Sequence, residues 1–229
     1  MSEEVIRVFS ENAEAYDSWY RTDAGKVVLE AEAKLLETYL PEGTGIDVGA
    51  GTGVFAEKLS RNREIVCLDP SESMLRLARE RCMHSIVGVG EYPPLRSRSV
   101  DFAYMVTVVE FLEDPSSIFK AIGSLLKEKG VLVVLSIERE SPWGRLYMRL
   151  AAERADPVLS KARFYTRREV EEILLASGFA VRGRASTLDY EPLTVPEGEP
   201  RRYIEEECSE CGVFLIACEQ APRTPCKPA

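Results

Sequence analysis

Three glycines at alternate positions, Gly49, Gly51 and Gly53, follow the short apolar run Ile46-Asp47-Val48. An amphipathic segment, Val54 to Leu59, opens immediately after them. This order predicts a strand, a tight loop and a helix. Glycine takes positive φ without the cost a Cβ imposes, and it lets backbone approach a ligand closely. The helix start leaves N–H groups pointing into the loop. In open α/β sheets, the crevice at the carboxyl ends of the strands is where ligands bind. A dinucleotide fingerprint wants its third glycine where this chain has Val54. Asp47 also precedes the loop, and a carboxylate repels pyrophosphate while attracting a cationic amino group. The loop therefore suits a nucleoside with a positively charged tail better than a dinucleotide.

The chain has 229 residues, enough for one domain with a sizeable core. A net charge of −9 argues against a nucleic-acid partner, which wants a basic footprint. No apolar run approaches the roughly 18 residues of a membrane span. Met1-Ser2-Glu3-Glu4 lacks the basic stretch and apolar block of a signal peptide, so a cytoplasmic location is expected.

Residues 1–40 read as helical, with a second helix from about Gly25 to Leu40. Glu64 to Leu68 reads as the second strand and ends at Asp69, 18 residues beyond Gly51. An acid at that distance, at the end of the next strand, can accept hydrogen bonds from ribose hydroxyls. Ser85–Val89 reads as a third strand and Ser99–Val109 as a fourth. Asp114-Pro115 starts a helix to about Lys129, and Val131–Ile137 is a buried fifth strand. Residues 138–162 form a helical insertion opening at Ser141-Pro142-Trp143. Thr166 and Glu169 form a capping box for a helix to Ala176. Ala180–Leu188 and Gly212–Cys218 read as a final antiparallel pair, separated by a Pro/Gly/Glu-rich loop from Glu191 to Arg202. The expected organisation is one domain over 1–220, with a flexible tail over 221–229.

Taken together, these segments resemble class I S-adenosylmethionine-dependent methyltransferases of the small-molecule, "type 11"-like kind. Ile46–Gly53 is similar to motif I of that family. Asp69-Pro70-Ser71-Glu72-Ser73-Met74-Leu75 and Gly90-Glu91-x-Pro93-Pro94-Leu95 resemble its next two conserved runs. The resemblance implies a Rossmann-like seven-stranded sheet of order 3-2-1-4-5-7-6, last strand antiparallel, flanked by helices. It implies S-adenosylmethionine as cofactor, with S-adenosylhomocysteine as product. The implied cofactor-binding residues are Asp47, Gly49, Ala50, Gly51, Gly53, Asp69, Pro70, Met74, Gly90 and Glu91. Tyr16 joins them from an N-terminal helical lid over residues 1–40. Val89 departs from the pattern, standing where many relatives have an Asp for the adenine amino group.

Methyl transfer from a sulfonium needs proximity and a dry pocket more than a fixed base. Glu110, at the end of the fourth strand, is the expected catalytic residue because that strand end faces the methyl group in this fold. It would orient an amine or accept its proton. The aromatic residues Tyr16, Trp19, Tyr20, Trp143 and Tyr147 suit an apolar ring or an amine. A small-molecule acceptor is expected, with a protein side chain as the runner-up. Rivals from other classes are an NAD-dependent oxidoreductase and a non-catalytic nucleoside binder. Cys208-x-x-Cys211 fits a metal site, a disulfide or plain thiols. A structural zinc wants four ligands, so plain thiols and no metal are expected.

Overall fold

Short glycine- and cap-bounded turns join strands to helices along most of this chain, which is how parallel strands are connected. The computed structural model describes residues 1–222. Most of the expected tail, and Cys226 within it, lies outside the described residues. Five strands run parallel: β1 (Gly43–Val48), β2 (Arg63–Asp69), β3 (His84–Val87), β4 (Val100–Val106) and β5 (Leu126–Ile137). Three more complete the sheet: β6 (Phe179–Thr187), β7 (Tyr203–Ile204) and β8 (Val213–Gln220). The order is β3-β2-β1-β4-β5-β8-β6-β7, with β8 antiparallel to both β5 and β6. This is the expected order, with β8 in the seventh strand's place and one addition. The two-residue β7 pairs with Ala185 and Ser186 at the sheet edge, just after the Pro/Gly/Glu-rich loop.

Helices cover both faces. Three precede the sheet: α1 (Glu3–Glu11), α2 (Ala13–Trp19) and α3 (Asp23–Glu37). The crossovers hold α4 (Val54–Leu59), α5 (Glu72–Ala78) and α6 (Pro115–Leu125). α7 (Pro142–Ala152) forms the insertion after β5, and α8 (Arg167–Ala176) leads into β6. Side-chain caps set several of these starts: Thr22 accepts from Gly25 N–H, Ser71 from Met74 N–H, and the Thr166/Glu169 capping box is present. Alternate strand residues feed two cores. Phe102, Tyr104, Val133, Leu135 and Leu215 pack with α3 and α4 on one face. Ala103, Met105, Leu132, Val134 and Phe214 pack with α6 and α8 on the other. Among the described residues no helix is long and apolar enough to cross a membrane.

Two expectations are corrected. The helix after Asp114 stops at Leu125, not near Lys129, because Leu126 already pairs with Val100 and starts β5. Lys129 takes φ 66°, so the chain turns within the first part of that strand rather than continuing a helix. The cysteines are not plain thiols: Cys208 is bonded to Cys211, and Cys67 to Cys82. Cys218 is a buried free thiol on β8.

Candidate functional site

The sheet order reverses between β1 and β4, both of which end beside the glycine turn. Gly49, Gly51 and Gly53 have φ of 76°, 54° and 75°, all in the left-handed region. The spacing of the three glycines thus answers a conformational requirement at each position. Four of the N–H groups from Gly49 to Gly53 are spent internally. Gly49 and Ala50 donate to Leu68 O at 2.8 and 3.1 Å, and Gly53 donates to Ala50 O at 2.9 Å. Gly51 donates to Asp69 Oδ2 at 2.9 Å. A loop whose amides are satisfied in this way is poorly made to cradle a pyrophosphate.

A cavity of about 550 Å³ opens over this turn and runs beneath the N-terminal helices. Gly49, Gly51, Asp69, Pro70, Ser71 and Met74 line one end. Asp69 is buried, with Oδ1 accepting from Ser71 N–H at 2.8 Å. Burial pushes its carboxyl up to about 6, against the pull of those two N–H donors. Gly90 and Glu91 stand outside this cavity and line a small adjoining cleft, which shares Gly49 and Pro70 with it. There Glu91 Oε1 accepts from the Met1 amino group at 2.7 Å.

Asp47, Ala50 and Gly53 lie behind the turn rather than in the cavity wall. Asp47 is buried on β1 and accepts from the Tyr104 hydroxyl at 2.9 Å. Burial raises its carboxyl to about 8, and the nearby Asp69 charge adds to the shift. A Cβ on Gly53 would stand 3.0 Å from that of Ala78, so this glycine also lets α4 start against α5.

Glu110 stands outside the cavity wall. Its side chain is buried, with Oε1 accepting from Ser136 Oγ at 2.7 Å and Ile137 N–H at 2.9 Å. The expected acceptor contact does not match this placement. The carboxyl ties the end of β4 to β5, and Thr107, Val108 and Phe111 present the surface that faces the cavity.

The N-terminal lid is anchored on the turn. Asp17, buried on α2, pairs with Arg81, which also donates to Thr52 O at 2.9 Å. This holds Tyr16 beside the glycines, its ring 3.6 Å from where a Gly51 Cβ would stand. The Tyr16 hydroxyl is hydrogen-bonded to that of Tyr20 at 3.2 Å. Beyond them the cavity becomes an aromatic chamber walled by Trp19, Tyr20, Trp143 and Tyr147.

Relatives bear on what this arrangement is. Residues 46–134 match the family model "Methyltransferase domain". A SAM-dependent methyltransferase of Thermotoga maritima, a possible histamine N-methyltransferase, superimposes with a TM-score of 0.84 at 28% identity. That match covers 94% of this chain and 99% of the other. Residues 46–134 thus carry a methyltransferase domain, and the chain as a whole is similar to class I S-adenosylmethionine-dependent methyltransferases. An uncharacterised protein of Mycobacterium tuberculosis is 37% identical over 183 residues, covering 79% of this chain. The chain spans 63% of that relative's length. The geranyl diphosphate C-methyltransferase of Streptomyces coelicolor, solved with S-adenosylhomocysteine, shares the fold at 14% identity. Its TM-score is 0.62, with 84% of this chain and 79% of that one covered.

One residue of the cavity wall belongs to none of the sequence motifs. Glu32, on α3, lines the cavity and is only 3% exposed. Its neighbours one turn away, Val28, Leu29, Leu35 and Leu36, are all buried. A lone acid in an apolar helical stripe is the signal that marks it. Burial, with the Glu110 charge second, pushes its carboxyl up to about 8.

Proposed function

We propose that this chain transfers a methyl group from S-adenosylmethionine to a small-molecule acceptor. One observation carries the reading: a single cavity joins the glycine turn and Asp69 to a chamber walled by aromatic side chains. The turn fits a nucleoside whose charged tail is cationic, because four of its five amides are already satisfied and its buried neighbours are carboxyls. In this reading Asp69 accepts from the ribose hydroxyls, and Gly49 and Gly51 let the donor lie against backbone. Pro70 and Met74 pack on it, Gly90 and Glu91 border the base, and Tyr16 closes over it. Asp47, Ala50 and Gly53 shape the turn from behind. Bound S-adenosylmethionine supplies a sulfonium methyl group open to in-line displacement by an acceptor that gives up a proton. The chain's part is to align the two partners and exclude water. The lid helices and α7 do the second by roofing the chamber with aromatic side chains. The Thermotoga relative, a possible histamine N-methyltransferase, supports an acceptor of this size.

Asp69→Ala is expected to weaken S-adenosylhomocysteine binding by about 1–3 kcal/mol, the range for lost hydrogen bonds to a charged group. Calorimetric titration reads this directly, and an unchanged affinity would mean that the ribose lies elsewhere. The acceptor class is tested by incubating the chain with S-adenosylmethionine and separate metabolite and peptide pools. Mass spectrometry should find the methylated product in the metabolite pool. A product confined to peptides would move the reading to a protein side chain, and no product despite tight donor binding would favour a non-catalytic binder.

A further inference from the structure

Two buried acids, Glu32 and Asp69, stand in the cavity wall, and they differ in one respect. Asp69 is held by two backbone N–H groups. Glu32, among the described residues, has no hydrogen bond and no ion pair. Burying a carboxyl without a partner costs free energy whichever protonation state it adopts. Packing does not explain it, since the same face of α3 is otherwise apolar. Nor does the other carboxyl that reaches it: Glu110 is turned to Ser136 and Ile137.

Glu32 belongs to the aromatic end of the cavity. Tyr16 and Tyr20 on the lid and Trp143 and Tyr147 on α7 line the same cavity, and Tyr190 follows β6. Trp143 packs edge-on against Tyr147 and Tyr190, with ring centroids 6.0 and 5.6 Å away. No Lys, Arg or His side chain among the described residues lines the cavity, whereas Glu32, Asp69 and Asp156 do. An unpaired carboxyl among electron-rich rings, with no Lys, Arg or His side chain in the wall, is a receptor for an organic cation.

We infer that the acceptor is a small organic amine, bound through its cationic nitrogen to the Glu32 carboxylate with its carbon frame against the surrounding aromatic rings. This rests on the methyl-transfer reading for the word acceptor; the cation site itself stands on the geometry of Glu32. Glu32 would be a binding residue, and the proposal assigns it no step in the transfer.

The test uses three amines, phenethylamine, tryptamine and hexylamine, each beside the alcohol that replaces its amino group. They are titrated into the full chain, with and without saturating S-adenosylhomocysteine, for wild type and for Glu32→Gln. At least one amine should bind the wild type about tenfold or more tightly than its alcohol. Glu32→Gln should abolish that preference while leaving S-adenosylhomocysteine affinity within about twofold of wild type. The proposal is overturned if no amine is preferred, if Glu32→Gln keeps the preference, or if that variant weakens the nucleoside instead. Should wild type bind amines but not S-adenosylhomocysteine, the cation site stands and the methyl-transfer reading falls. The wild-type comparison needs no variant, so it decides the matter even if Glu32→Gln does not fold.

Discussion

Glu32→Gln is expected to stabilise the ligand-free protein by about 3 kcal/mol at pH 7 and by almost nothing at pH 4. The carboxyl titrates near 4.5 when exposed and at about 8 in the fold. Between those values the folded state keeps a proton that the unfolded state has released. Stability therefore falls as pH rises through that window, by about 1.4 kcal/mol per pH unit, and levels off above the folded value. Glutamine has the same shape and no such proton, so the variant's advantage grows from pH 5 to pH 8. The groups facing Glu32 do not reverse the sign: Tyr16, Tyr20, Tyr147 and Tyr190 all titrate higher, and Glu110 is itself raised by burial. Urea unfolding at pH 5, 7 and 8 measures the effect. Equal stability of the two proteins at pH 8 would mean that Glu32 is solvated or paired in solution. The cost is the expected mark of a binding group, since a site kept ready for a cation is strained until the cation arrives.

Gly45→Val is expected to destabilise the fold by about 3 kcal/mol, independently of pH. Gly45 sits in β1 opposite Phe102 of β4. A Cβ there would run into the Phe102 ring, which is fully buried in the core shared with α3 and α4. Neither strand can shift without disturbing the pairing that places the glycine turn. Phe102→Leu should recover part of the loss when combined with Gly45→Val, although alone it costs stability by leaving a void. Denaturant midpoints of the four proteins give the coupling. Strict additivity would show that the two side chains do not meet.

These two positions also show what was legible in the chain. The glycine turn was, because three alternating glycines answer a local need for positive φ that spacing alone reveals. Asp69 was as well, since its place follows from one strand and one crossover. Glu110 was not. Its distance from the chamber depends on Ser136 and Ile137, which only the pairing of β4 with β5 brings to it. Gly45 gave no sign for the same reason: the ring that demands it comes from a strand 57 residues away. Cys67–Cys82 joins a strand to the segment after a helix, and Cys spacing does not fix such connectivity. Glu32 was legible in principle, as the one acid in an apolar stripe. Its significance emerges only when Tyr147 and Tyr190, from distant segments, are folded around it.

In the function proposed, the glycine turn and Asp69 hold a sulfonium nucleoside. Parallel calorimetric titrations of the wild-type chain with S-adenosylhomocysteine and with NAD test it most directly. Saturable one-to-one binding of S-adenosylhomocysteine and none of NAD is expected; binding of NAD alone would contradict a sulfonium-nucleoside site.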